Sequence, residues 1–359
     1  MLDDEMIDLA IVPFDASKAS PEEWRMLHAF NKMRHNETQP NIPMPSEASF
    51  EETLKAIPKR LNVLRFNIFE KNDTTNQIGD VYFATFKDGS DNETAMVNTS
   101  VLNDHRHKGV GLQLLHKISE LAKEHNKKRL IFQSTEEDGI HTIEHFNATK
   151  ISEQEQFRLN LSETNWDIVK AWVEETRPLL AKTQIEWIKV VDSIPEEILE
   201  QYSRIMATAF DEHPKWKVNT KAPKEMPIES LKHDIKQFNA KGGKWYLGLL
   251  REKYGDISGL TELKWSPSRP QVILQFITHI KLKYRGSGKG KLLKAHTMQY
   301  IKENFPEAKY LHTGFVGNEN SPLFKINEKI GFKLFYHSAT YEIKTTDLDN
   351  WVAEHLKMH

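Results

Sequence analysis

Arg285-Gly286-Ser287-Gly288-Lys289-Gly290 reads R-x-x-G-x-G, and Arg106-His107-Lys108-Gly109-Val110-Gly111 reads the same pattern earlier in the chain. The two arginines stand 179 positions apart in a chain of 359 residues, so the repeat equals half the length. A period of that size is too long for a solenoid unit and points to duplication of a whole domain.

Each copy sits where a strand pattern hands over to a helix pattern. Ala95, Val97, Thr99 and Val101 alternate with more polar neighbours before the first loop. After it, Leu114, Ile118, Leu121 and Ala122 fall on one helical face. Before the second loop, Val272, Leu274, Phe276, Thr278, Ile280 and Leu282 alternate as one face of a long strand. Leu292, Leu293, Tyr300 and Ile301 follow in a helix with a less clean apolar stripe. A glycine-rich strand-to-helix turn aims backbone N–H groups and a helix dipole at one point, which suits an anion and a diphosphate above all. The glycines let the backbone come close and take positive φ. The arginine adds a charge-assisted contact.

Two better-known phosphate loops are excluded. A Walker A loop ending at Gly290-Lys291 needs a glycine where Arg285 stands, and Leu292 replaces its hydroxyl residue. The dinucleotide fingerprint G-x-G-x-x-G fails because Gly286, Gly288 and Gly290 are spaced two and two. An ordinary glycine turn would explain one such pattern; a second copy in the same strand-loop-helix setting argues for a shared ligand type.

The length favours two domains. A content of 38% hydrophobic and 28% charged residues describes a globular chain, and a net charge of −2 gives no global drive toward nucleic acid or membrane. The absence of cysteine removes disulfides, cysteine nucleophiles and thiolate metal sites, and it fits a reducing, cytoplasmic setting. The acidic start Met1-Leu2-Asp3-Asp4-Glu5 does not read as a signal peptide, and no run approaches the length of a membrane span. Basic clusters such as Lys127-Lys128-Arg129 and Lys281-x-Lys283 lack the interleaved aromatics of a nucleic-acid groove. His141 and His145 share an i,i+4 face without a third ligand, so no metal is expected.

Each half reads as strand, helices, meander, loop, helix, strand. The segmentation predicts an N-terminal domain over 1–163, a linker helix over 164–182, a C-terminal domain over 183–345 and a closing helix over 346–359. The linker helix carries Trp166, Val169, Val173 and Thr176 on one face and should end at Pro178.

The element order, the loop and the run Asn320-Ser321-Pro322-Leu323-Phe324-Lys325-Ile326-Asn327-Glu328-Lys329-Ile330-Gly331-Phe332 resemble the GNAT N-acetyltransferases, and the whole chain resembles the tandem-domain subgroup that includes mycothiol synthase. The resemblance implies an α/β fold of two tandem domains, each a mixed, mostly antiparallel sheet flanked by helices. It implies acetyl-CoA as co-substrate and an amine of a small molecule or peptide as acceptor, attacked directly in a ternary complex. Cofactor contacts then fall on Ile280, Lys281, Leu282, Arg285, Gly286, Ser287, Gly288, Lys289, Gly290 and Asn320. In the first half they fall on Val101, Asn103, Arg106, His107, Lys108, Gly109, Val110 and Gly111.

Two departures stand out. Many family members place a thiolate-protonating tyrosine where this chain has Asn327, and the first half lacks the Asn-led helix ending in Gly-Phe, having Phe146-Asn147-Ala148 instead. For the base, Glu262 is a carboxylate within the apolar run Leu260-Thr261-Glu262-Leu263, where burial would raise its pKa toward a useful value; the corresponding Val81-Tyr82-Phe83-Ala84 has none. That asymmetry favours chemistry in the C-terminal domain. The plain alternative is an edge-strand glutamate facing water. His279 is a second candidate base or a packing residue, and Asn320 a contact to the pantetheine arm or a helix cap. Two other functions fit the architecture: a CoA-binding sensor or scaffold without turnover, and an aminoacyl transferase of related tandem fold.

Overall fold

The computed structural model describes residues 6–40, 42–57, 61–87, 91–191, 193–211, 228–315 and 321–357. The chain divides into two compact units: Met1–Ser152 with Ser338–His359, and Glu153–His337.

Unit 1 begins with β1 (Leu9–Pro13), α1 (Pro21–Thr38) and α2 (Glu47–Lys55). Ser20 starts α1 with a reciprocal capping box, its hydroxyl accepting from the Glu23 N–H while the Glu23 carboxylate accepts from the Ser20 N–H. Next come β2 (Leu61–Glu70), β3 (Asp73–Phe86), β4 (Thr94–Val101), α3 (Val110–Glu124), β5 (Arg129–Ser134) and α4 (Glu137–His145). β1 through β4 pair antiparallel in sequence order, and β4 pairs parallel with β5. Ile68, Phe83, Leu114, Ile118 and Leu130 form the centre of the core between α3 and the sheet.

Unit 2 takes the larger part of β6 (Thr149–Asn160), then α5 (Trp166–Thr176), β7 (Thr183–Val190), α6 (Glu196–Asp211), α7 (Ile228–Ala240), β8 (Lys244–Glu252), β9 (Ile257–Trp265), β10 (Val272–Ile280), α8 (Lys289–Asn304), β11 (Tyr310–Phe315) and α9 (Pro322–Ile330). β7 through β10 pair antiparallel, β10 and β11 parallel, and β11 antiparallel with β6. The same order, antiparallel meander then one parallel pair then one antiparallel strand, thus occurs twice.

The sixth strand of each unit comes from the other half of the sequence. β6 closes the Glu153–His337 unit, and the end of β12 (Lys333–Lys344) pairs with β5 in unit 1, from Ala339–Ser134 to Lys344–Arg129. α10 (Thr345–Leu356) follows it and buries Leu348 and Val352 against α3. The sequence reading places borders at 163/164 and 345/346; the contacts draw them at 152/153 and 337/338. Alternation marks a strand but carries nothing about which sheet edge receives it, which is why the exchange is invisible in the sequence. The expected linker helix is α5, which gives Val169 and Trp172 to the core of unit 2.

The first-half counterpart of the Gly-Phe segment is present in different letters. α4 ends at Phe146, and Asn147 takes φ 59° where Gly331 takes φ 105° after α9. Asparagine is the residue other than glycine that best tolerates the left-handed region, so it closes the helix in the same way.

Candidate active site

In unit 2 the parallel pairing of β10 and β11 runs from Val272–Tyr310 to Gln275–Thr313 and stops. β10 continues to Ile280 and β11 to Phe315, so the two strands part. Next to the parting point β10 carries a bulge against β9, with Phe276 as the extra residue between Gln275 and Ile277. The bulge reverses the alternation expected for this strand. Ile273 and Gln275 face α8 before it, and Thr278 and Ile280 after it. The Lys281 N–H donates to Ser258 O at 2.9 Å, so by alternation the N–H groups of Thr278 and Ile280 point to the side β11 has left.

The strand ends in a tight turn, Leu282–Tyr284, and the loop follows. Gly286 and Gly288 take φ 75° and 82°, and Gly288 is the N-cap of α8. The Leu292 N–H donates to Gly288 O at 3.0 Å, which leaves Lys289, Gly290 and Lys291 without intrahelical acceptors. A methyl at Gly286 would meet nothing; at Gly288 and Gly290 it would meet only Leu179 at 3.5 Å and Ile326 at 3.7 Å. The loop is therefore open to an approaching anion.

Its rim is cationic. Lys281 and Lys283 each reach Asp256 at 2.7 Å, and the Tyr284 hydroxyl donates to it at 2.8 Å. Burial pushes the Asp256 carboxyl up, but those three donors outweigh it and hold it well below the usual carboxylate range. Lys289 lies 3.3 Å from Glu252 and Lys291 2.6 Å from Glu175. The Arg285 Nε–H donates to Ile280 O at 2.8 Å, so part of its guanidinium ties the loop to the strand. Leu282, expected along the pantetheine arm, is 69% exposed.

The first copy repeats this backbone and closes it. The Leu102 N–H donates to Ile78 O at 2.9 Å and the Arg106 Nε–H to Val101 O at 3.1 Å, matching Lys281 and Arg285. β4 likewise parts from β5 after Val97–Phe132. The surroundings differ. Arg106 donates to Glu136 at 2.6 Å and to Asp138 at 2.8 Å, while the Asn103 N–H donates to Glu37 at 3.0 Å. The Ile7 N–H donates to Lys108 O at 3.3 Å, Gln113 Nε2 donates to Ile7 O at 2.6 Å, and a methyl at Gly109 would overlap Met6. Val110 turns its side chain into the core, and His107 takes φ 60°. Gly111 alone keeps open space around it. Carboxylates and the chain's own N-terminal segment thus surround the place where an anion would enter unit 1. β4 also pairs with β3 from Val101 to Ala95 without a bulge.

Glu262 on β9 stands across from Ile277, beside the bulge, at 0% exposure. It is buried, which excludes the water-facing edge glutamate. The Tyr202 hydroxyl donates to Oε2 at 3.1 Å, and Lys264 Nζ lies 3.1 Å from Oε1. Burial raises the Glu262 pKa, opposed by Lys264 and Tyr202. Lys264 stacks over the Trp245 ring at 3.5 Å and Phe276 at 4.5 Å. His279 is buried on β10 opposite Leu260. Asn320 lies outside the described residues, as does the whole of 213–227. Asn327 is buried on α9, and its side-chain oxygen has no hydrogen-bond partner among the described residues.

Sequence reasoning missed a polar group on the other face of the bulge. Lys294 on α8 is 1% exposed, and its ammonium nitrogen donates to Gln275 Oε1 at 2.5 Å. Gln275 Nε2 donates to the hydroxyls of Thr261 at 2.8 Å and Thr278 at 2.9 Å, and Thr261 donates to Ile277 O at 3.0 Å. Burial lowers the Lys294 pKa to about 7. The signal was present as the untidy apolar stripe of α8: Lys294 and Thr297 occupy its buried face. Among the described residues, no group of three or more metal-ligating side chains comes together, and no helix is long and apolar enough to cross a membrane.

No family model and no curated protein matches the chain. Solved structures do. A tandem GNAT protein from the clavulanic acid biosynthesis pathway, solved without AcCoA, superposes with a TM-score of 0.68 at 17% identity, over 94% of this chain and 99% of its own. A GCN5-related N-acetyltransferase from Sphaerobacter thermophilus gives 0.57 at 10% identity, over 94% and 96%. A GCN5-related glucosamine N-acetyltransferase region of a fungal multi-domain GH3 beta-N-acetylglucosaminidase gives 0.58 at 13% identity, over 94% of this chain and 38% of that one. The fold is that of the tandem GNAT proteins.

Proposed function

We propose that the chain is an acetyl-CoA-dependent N-acetyltransferase whose chemistry occurs in unit 2. The observation that carries this reading is the asymmetry of the two loops. The second is open, cationic and preceded by a bulged, parted strand; the first is covered by Met6 and faced by carboxylates.

In this reading the N–H groups of the Gly286–Lys291 turn hold the pyrophosphate of acetyl-CoA, and Lys283, Arg285 and Lys289 supply the charge around it. The pantetheine arm takes the place of the departed strand along Thr278 and Ile280. An N–H at that strand polarises the thioester carbonyl and stabilises the tetrahedral oxyanion. The acceptor amine loses its proton and attacks the carbonyl carbon. A C–N bond forms, the C–S bond breaks, and CoA leaves as a thiolate that takes up a proton. Glu262 is the group we assign as final proton acceptor, reached through the Tyr202 hydroxyl or Lys264 that enclose it, with His279 as the second basic group on the strand. A buried carboxyl with a raised pKa suits general-base work near neutrality. Asn327 stands where a tyrosine acid is common, so the thiolate draws its proton from water or another group.

The test is turnover of acetyl-CoA against a panel of small amines, followed as free thiol. Wild type should release CoA with at least one amine, and Gly288→Val should release none, because valine cannot hold φ 82° without strain. Tight acetyl-CoA binding without release on any amine would favour the non-catalytic binding protein instead.

A further inference from the structure

Unit 1 carries a cavity of about 150 Å³ between α1, α2 and the face of β2–β4. Phe30, Phe50 and Leu54 wall one side. The strand side is polar: Asn67, Asp80 and Ser100 stand opposite one another in register, and Arg65 lies two residues from Asn67 on the same face.

The two charges there feel each other's field without forming a direct ion pair. The Arg65 guanidinium packs on the Tyr82 ring at 4.9 Å, and its Nε is buried without a hydrogen-bond partner among the described residues. Arg34, which also lines the cavity, is already paired with Glu37 at 2.9 Å and with Glu136. Asp80 is pushed up by burial and pulled back by Ser100, Arg65 and Arg34. Arg65 and Asp80 are diagonal neighbours on paired strands, their Cα atoms roughly 7 Å apart by strand geometry. A half-buried cation and a half-buried carboxylate beside one cavity suit a ligand that carries both opposite charges.

We propose that this cavity binds an α-amino acid with an apolar side chain: its carboxylate on Arg65, its ammonium on Asp80, and its side chain against Phe30, Phe50 and Leu54. No cofactor is required, and the proposal does not depend on acetyl transfer in unit 2. Unit 1 is then a ligand-sensing module made from a duplicated fold whose anion loop is closed.

The experiment is calorimetric titration of the full-length protein with L-leucine and L-phenylalanine, beside phenethylamine and 3-phenylpropanoate, which each lack one charge. At least one amino acid should bind saturably with a Kd below about 1 mM. The matching single-charge analogues should bind at least about tenfold more weakly. Arg65→Gln and Asp80→Asn should weaken the amino acid by a similar factor, with circular dichroism verifying that each variant is folded. Wild-type protein that binds neither amino acid overturns the proposal. So does binding unchanged in both folded variants, or analogues that bind as tightly as the amino acid. The analogue series uses only wild-type protein, so the test stands even if a variant does not fold.

Discussion

Glu262 and Lys294 lie on opposite faces of the same bulge, and each is a charged group with almost no exposed surface. Glu262 was legible because a carboxylate interrupted an apolar strand. Lys294 was not, because one lysine in a lysine-rich helix reads as solvated surface. For Glu262 we expect Glu262→Gln to lower kcat by about 10² to 10⁴-fold with KM for acetyl-CoA little changed, and to remove the rising limb of the pH–rate profile. A profile that keeps its limb and falls only in stability would make Glu262 a structural residue. Lys294 makes a stability prediction with a defined sign. Its pKa is lowered from 10.5 to about 7 in the folded chain, so between those values the unfolded chain holds a proton that the folded chain has released. Stability should therefore rise with pH across about 7 to 10.5, by up to about 1.4 kcal/mol per pH unit from this group alone. Denaturant unfolding of wild type and Lys294→Met across that range should give curves whose difference carries that slope; parallel curves would show that Lys294 keeps its proton when buried.

The motif loops and the helices behind them were legible as elements, since glycine spacing and helical periodicity are local signals. Gly109 and Gly288 cap α3 and α8 as the pattern required. The bulge at Phe276 was not legible. A single extra residue leaves the composition of the strand untouched while turning every later side chain to the other face. The closing helix expected over 346–359 carries Leu348, Trp351, Val352 and Leu356 on one face, but its docking partner is set by tertiary contacts. α10 packs on α3 in unit 1, where Ser119 and Lys123 both donate to Asp349. Leu348 is fully buried, so Leu348→Ala should cost roughly 2–5 kcal/mol. Amide exchange should localise the loss to α3 and β5 and spare α8. Equal loss of protection in α8 would contradict the division into units.

At the scale of the whole molecule, the duplication could be read from two loops 179 residues apart, and with it the tandem architecture. The exchange of sixth strands could not, because nothing local within residues 149–160 and 333–344 says which sheet they join. Nor could the closure of the first loop, which depends on Met6, Glu37, Glu136 and Asp138 converging from distant positions. The two copies are alike in backbone, but Met6 covers the first and Gly286, Gly288 and Gly290 leave the second open. That contrast is the basis on which we propose the second copy as the donor site.

Titration of acetyl-CoA into the purified protein, with Gly111→Val and Gly288→Val beside wild type, tests that assignment most directly. One equivalent should bind to wild type and to Gly111→Val, and none to Gly288→Val. Two equivalents, or one that survives Gly288→Val and disappears in Gly111→Val, would contradict it.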